Sequence, residues 1–257
     1  MDFDKIVQKM RKRWQNLWSI ADVGEYLEGE GDNQKKIAPY KLIHRLVSTG
    51  ILTSIRKGMY LWADKKLDPE DYYWSIVKKI IAENYLSQGI IIGEKALAFW
   101  LRDYSLPETL SILVPKDARK LSIIGNYMMV ANHVRAEKRS SLYPLIREYA
   151  TRMSIEDTQL LVTCPEHALL EALTTRMGSD KTDTSIIERW LKKNGASLRE
   201  SVFASFIPYR YISATNRLKY LASDLGMTSL YEMMVRLIDN QGKGCHLSRD
   251  FLAGKKK

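Results

Sequence analysis

Cysteine is almost absent from this sequence, with only Cys164 and Cys245 among 257 residues. Two thiols cannot build a disulfide framework, which excludes the small stapled secreted domains and makes a reducing cytoplasm the expected location. Long hydrophobic runs are missing too. No stretch approaches the roughly 18–20 apolar residues that span a bilayer, so no membrane partner is expected. The opening Met1-Asp2-Phe3-Asp4-Lys5 lacks the basic-then-apolar layout of a secretory signal. There is no internal repeat and no long low-complexity segment. Acidic charge is in deficit, 30 Asp+Glu against 40 Lys+Arg, and the resulting +10 favours a polyanionic partner without naming one.

What is present is the mix of a folded protein, 45% hydrophobic and 27% charged. The length suits one or two domains. The charge is unevenly placed. Residues 1–65 carry net +4, residues 66–115 net −2, residues 116–152 net +5 and the remainder net +3. Two basic regions therefore flank an acidic one. The terminal Lys255-Lys256-Lys257 reads as a frayed tail.

Periodicity organises the chain. Phe3, Ile6, Val7, Met10, Trp14 and Trp18 fall near helical spacing, which predicts a helix over 2–18. Ser19 is placed to cap a short helix from Ile20 to Leu27. After the Gly29-to-Asn33 loop, an amphipathic helix runs from about Ala38 to Thr49, with Pro39 in its first turn and Gly50 at its stop. Ile51–Ile55 and Met59–Trp62 read as two short strands joined by a tight turn at Arg56-Lys57-Gly58. A helix is expected from Pro69 to about Leu86, its stripe of Tyr72, Tyr73, Ile76, Val77, Ile80 and Ile81 being core. Strands follow at Ile90–Ile92, Thr109–Val114, Tyr127–Val134 and Gln159–Thr163, with helices at Glu94–Leu101 and from Pro165. Beyond the 178–184 loop the chain reads as helical to Asp239, broken near Gly195, Pro208 and Gly226. The expected fold class is α+β. A small N-terminal domain, 1–66, precedes a mixed domain, 67–257, with a helical C-terminal part.

Helix, helix, longer helix and hairpin is the order of a winged helix-turn-helix, whose second helix of the pair enters the major groove while the hairpin touches backbone. In the 38–49 helix, Leu42, Ile43, Leu46 and Val47 form an apolar stripe. Lys41, His44, Arg45 and Ser48 fall at i, i+3, i+4 and i+7 and form the opposite face. Lys35 and Lys36 precede the helix start, Tyr40 stands in its first turn, and Arg56-Lys57 makes the wing tip basic. These nine residues, Lys35, Lys36, Tyr40, Lys41, His44, Arg45, Ser48, Arg56 and Lys57, are the candidate DNA contacts, because affinity comes largely from neutralised phosphates. The same domain could instead serve protein contacts alone.

The segment Tyr40-Lys41-Leu42-Ile43-His44-Arg45-Leu46-Val47-Ser48-Thr49-Gly50-Ile51-Leu52, followed by Ile55-Arg56-Lys57-Gly58-Met59-Tyr60, resembles the start of AbiEi-type antitoxins. Ile91-Ile92-Gly93-Glu94-Lys95-Ala96-Leu97, the strand at 109–114 and Cys164-Pro165-Glu166-His167-Ala168-Leu169-Leu170-Glu171-Ala172-Leu173 are similar in placement. The resemblance covers about 20–175, with a looser helical match beyond. It implies a transcriptional autorepressor that binds double-stranded promoter DNA through its N-terminal domain. It also implies an antitoxin that counteracts a nucleotidyltransferase-like toxin of a type IV, abortive-infection system. The long first helix and the Lys35-Lys36 loop depart from some members.

Catalytic patterns are thin. A nucleotidyltransferase needs paired carboxylates on a strand after a Gly-Ser turn, and Asp180 and Asp183 follow Gly178-Ser179 inside a loop. Glu94-Lys95 lacks the spacing of a nuclease carboxylate–lysine set. Cys164 with His167 and Cys245 with His246 fall short of paired zinc-ligand spacings, and no P-loop is present. No enzymatic activity, cofactor or metal is expected. Two alternatives stay open: a nuclease fused to a winged helix, or a ligand-responsive transcription factor without a toxin. For the basic residues Lys116, Arg119, Lys120, Arg135, Lys138, Arg139, Arg147 and Arg152, a second DNA surface, a toxin-facing surface and a solvated face all stay open.

Overall fold

The computed structural model describes residues 3–13, 15–29, 38–65, 68–133, 142–155, 158–174, 184–209 and 211–239. Its fold is α+β, and it divides into two compact units, Met1–Val77 with Ile123–Asn126, and Lys78–Ser122 with Tyr127–Lys257. The division falls at Val77/Lys78, inside a helix, rather than at 66/67.

The first unit opens with α1 (Phe3–Arg11), then β1 (Leu17–Ser19), α2 (Ile20–Gly29), α3 (Pro39–Ser48), β2 (Leu52–Arg56) and β3 (Met59–Trp62). The helix expected over 2–18 is thus corrected: it stops at Arg11, and Trp18 lies in a strand. The reason is tertiary. The Gln15 carbonyl accepts hydrogen bonds from the indole N–H of Trp18 at 3.0 Å and of Trp62 at 2.9 Å. Leu17, Trp18 and Ser19 then pair antiparallel with Leu61, Tyr60 and Met59. Local helical spacing loses to this long-range pairing. Trp14 lies outside the described residues.

The sheet order is β1-β3-β2. Trp18 packs edge-on against Tyr26 and Trp62, with ring centroids 6.3 and 6.2 Å apart. Ile6, Met10, Val23, Leu27, Leu42, Ile43, Leu46 and Leu52 complete this core. Ser19 and Asp22 form a reciprocal cap at the start of α2. The Ser19 Oγ accepts from the Asp22 N–H at 3.2 Å, and the Asp22 carboxylate accepts from the Ser19 N–H at 2.6 Å. Gly50 and Gly58 take φ of 69° and 82°, which ends α3 and closes the β2–β3 turn where a Cβ would be strained.

Next comes α4 (Pro69–Tyr85), with Tyr73, Ile76, Val77, Ile80 and Ile81 of the expected stripe buried and Tyr72 only half-buried. The second unit is built on β4 (Ile90–Ile91), β5 (Thr109–Val114), β6 (Lys120–Ser122), β7 (Met128–His133), β8 (Thr151–Ile155) and β9 (Thr158–Val162). Their order is β6-β7-β5-β4-β9-β8, a mixed sheet in which β4–β9 and β5–β7 run parallel. Helices α5 (Gly93–Trp100), α6 (Leu142–Tyr149) and α7 (Pro165–Ala172) connect or follow the strands. Then α8 (Ser185–Asn194), α9 (Glu200–Phe206), α10 (Ile212–Asp224) and α11 (Thr228–Asp239) form the helical C-terminal part, α10 packing on α11 and α5 on α7. Glu166 of α7, 2% exposed, anchors the start of α9 by accepting from the Arg199 backbone N–H at 3.1 Å and its guanidinium Nε at 3.0 Å. No described helix is long and apolar enough to cross a membrane.

Candidate nucleic-acid interface

Helix α3 sorts its residues as its periodicity dictates. Leu42, Ile43 and Leu46 are buried and Val47 is half-buried, while Tyr40, Lys41, His44, Arg45 and Ser48 are exposed. Pro39 occupies the first turn, where a missing N–H costs nothing, and its Cγ would lie 3.7 Å from a Cβ on Gly24 of α2. That close passage seats α3 against α2. The residues joining the two helices, with Lys35 and Lys36, lie outside the described residues.

The exposed face is not uniform. Tyr40, Lys41 and His44 line one side of a groove of about 700 Å³, whose other side is Ser54 of β2 and Tyr60 of β3. Register explains the partners. Ser54 pairs with Tyr60, and Leu52 with Trp62, so all four project from the sheet face that carries the core. Ser54 and Tyr60 sit where that face runs out from under α3. Ile20, first residue of α2 and 43% exposed, closes one end. The arrangement is a cleft with cationic and hydroxyl groups on an apolar floor. It can offer donors to phosphate oxygens and to base edges, and apolar contact to a thymine methyl.

Three of the expected contacts stand differently from the sequence reading. Arg45 places its guanidinium 4.1 Å from the centroid of the Phe3 ring, so it is braced on α1 rather than projecting freely. Ser48 turns its hydroxyl back to the Arg45 carbonyl at 3.0 Å. Arg56 is the last residue of β2, half-buried after a bulge between Ser54 and Arg56, so the tip of the hairpin is Lys57-Gly58. Lys57 is exposed there. Arginines elsewhere in this unit are also used internally. Arg11 lies 4.7 Å over Trp62 and pairs with Asp64 at 2.8 Å, which holds the Asp64 carboxyl below its usual range, and Arg13 lies 4.8 Å over Tyr26. Part of the N-terminal positive charge is therefore packing rather than docking surface.

Ile20, Ser54 and Tyr60 went unrecognised in the sequence. A signal existed for Tyr60: it stands two residues before Trp62, on the same face of a strand, at the point where α3 no longer covers it.

In the second unit, the expected basic region divides. Lys120 lies on β6 and Arg152 on β8, the outermost strands at opposite ends of the sheet order. Arg119 is engaged with the Asn84 side-chain oxygen at 2.5 Å. Arg135, Lys138 and Arg139 lie outside the described residues.

Cys164 and His167 are both buried. Burial pushes the Cys164 thiol up to about 12, so it stays protonated and is a poor nucleophile at neutral pH. His167 has its Nδ1 2.9 Å from the Thr163 hydroxyl and its Nε2 3.1 Å from the Tyr211 hydroxyl, and Tyr211 donates to Glu171. Since the Tyr211 proton goes to Glu171, the Tyr211 oxygen accepts from the His167 Nε2–H. The histidine is a core hydrogen-bond link. Among the described residues no group of three or more His, Cys, Asp or Glu side chains could hold a metal ion. Cys245, His246, Asp180 and Asp183 lie outside the described residues.

No family model matches the sequence, and no curated protein matches it. Among solved structures, the chain is similar to the crystal structure of the RV2827C protein from Mycobacterium tuberculosis, with a TM-score of 0.60 and 15% identity. The match covers 95% of this chain and 82% of that one. At that identity the likeness is one of fold alone.

Proposed function

We propose that the chain is a DNA-binding transcriptional autorepressor whose first unit works as a winged helix-turn-helix. We propose further that it is an antitoxin counteracting a nucleotidyltransferase-like toxin of a type IV system. The observation that carries the DNA reading is the shared groove of α3 and the β2–β3 hairpin, which sets Lys41 and His44 opposite Ser54 and Tyr60. A recognition helix beside a basic-tipped hairpin needs that geometry, because the helix must reach base edges while the hairpin follows the backbone. The net charge of +10 favours the polyanion. The antitoxin role rests on the resemblance of the 40–60, 91–97 and 164–173 segments to AbiEi-type antitoxins. On this reading the protein acts by binding, without catalysis, cofactor or metal, in the cytoplasm.

The test is a gel shift with the promoter upstream of its own gene. Lys41→Ala with His44→Ala should weaken specific binding by about 1–3 kcal/mol for each lost base contact, and binding should fall steeply with salt. Unchanged operator affinity in a folded double variant would remove α3 from the groove. Metal-dependent DNA cleavage by the pure protein would instead favour a nuclease.

A further inference from the structure

The second unit carries a concavity that the DNA reading does not use. In the β8–β9 pair, Arg152 stands opposite Leu161 and Ser154 opposite Gln159. Directly paired residues project to one face, so Arg152 and Gln159 share a side of the sheet. On α4, Lys78 and Ile81 are three residues apart and share a helix face. The chain then reverses. Leu86 and Ser87 follow α4 with φ of 49° and 60°, Gln88 and Gly89 come next, and Ile90 of β4 pairs with Leu161. The reversal brings Lys78 and Ser87 together with Arg152 and Gln159 around a pocket of about 350 Å³, walled by Ile81 and Leu161.

Three features of this pocket point to a ligand. Its volume lies in the range of roughly 300–1,000 Å³ typical of small-molecule sites. Among the described residues its lining has two cationic side chains and no carboxylate. Two consecutive non-glycine residues hold left-handed backbone at its edge, a conformation that concentrates at ligand sites. Gly89 shapes the pocket by letting the chain pass close to α4, since a Cβ there would lie 2.9 Å from Cγ2 of Ile81.

We propose that this pocket binds a small organic phosphate. Arg152 supplies the planar two-pronged donor, Lys78 the second charge, and Gln159 and Ser87 neutral hydrogen bonds, while the ligand body rests on Ile81 and Leu161. A nucleic-acid backbone fits less well, because its phosphates would leave the apolar wall uncovered. The inference does not depend on α3 reading DNA.

Titration calorimetry on the full chain with inorganic phosphate, adenosine monophosphate and uncharged adenosine tests it. Both phosphates should bind, the nucleotide more tightly, and adenosine should not. Arg152→Gln should weaken nucleotide binding about tenfold or more, the loss expected for a charged hydrogen bond, with Arg152→Lys between. Lys78→Gln should weaken it several-fold. Both heads are exposed, so circular dichroism should be unchanged. No binding of either phosphate, equal binding of adenosine, or affinity indifferent to both substitutions would overturn the proposal. So would a silent nucleotide beside a random duplex whose binding is lost in both variants, which would give the cations to nucleic acid.

Discussion

Arg45 and Lys41 are both exposed cations on α3, yet they stand in different surroundings. Arg45 lies over the Phe3 ring and Lys41 lines the groove. A cation over an aromatic face at an exposed site contributes about 0.5–1 kcal/mol, and a lysine on an open helix face contributes little. Arg45→Ala should therefore lower unfolding stability by about 0.5–1 kcal/mol in a urea titration, while Lys41→Ala should change it by less than about 0.5. On the proposed function both should weaken duplex binding. Equal stability of the two variants would mean that the Phe3 contact has no energetic weight. The face itself was legible, because 3.6-residue periodicity sets Lys41, His44, Arg45 and Ser48 together. The Arg45–Phe3 contact was not. It depends on how α1 crosses α3, and no local pattern encodes that.

At the scale of elements, what could be read followed from short-range chemistry. The Ser19 cap, Pro39 in the first turn of α3, Gly58 in the hairpin turn and the β5 strand at 109–114 are stated by neighbouring residues. Strands β1, β6 and β8 and helix α6 were not read. β1 and β6 have three residues each and exist only through a partner strand, and β8 is half polar with a largely exposed pattern. Helix α5 shows an energetic consequence of such packing. Lys95 donates to the Asp103 carbonyl at 3.1 Å and also to the Ser105 carbonyl, tying the following loop to the helix. Desolvation lowers its pKa from 10.5 to about 8, with the Asp103 charge opposing. Between those two values the unfolded chain holds more of this proton than the folded one, so its contribution to stability rises with pH. Compared with Lys95→Met, the wild type should gain stability between pH 8 and pH 10.5, by on the order of 1 kcal/mol after solvent screening. Thermal melts of both proteins across that window measure it. A constant difference between them would show that Lys95 keeps its ordinary affinity for the proton.

For the whole molecule, the question is whether its two units have separate tasks. The second contains the six-stranded sheet, and it buries its own core of Ile90, Ile91, Leu110, Ile112, Leu169 and Leu170. A DNA reader of the first unit's size needs no such body to grip a duplex, as single modules do so with about 600–1,000 Å² of surface. The extra mass therefore calls for a role of its own, and on the proposed function that role is opposing the toxin. Two mechanisms are compatible with it, direct contact with the toxin or action on the toxin's target. Both predict that antitoxicity survives loss of operator binding. A full-length Lys41→Ala, His44→Ala variant, both positions exposed and outside the core, should fold normally, fail to retain its promoter and still restore growth when co-expressed with the neighbouring toxin. Expression from an unrelated promoter keeps derepression from masking the result. If the variant is folded and abundant yet cells die while the wild type rescues them, antitoxicity passes through DNA, and the division of labour between the units is wrong.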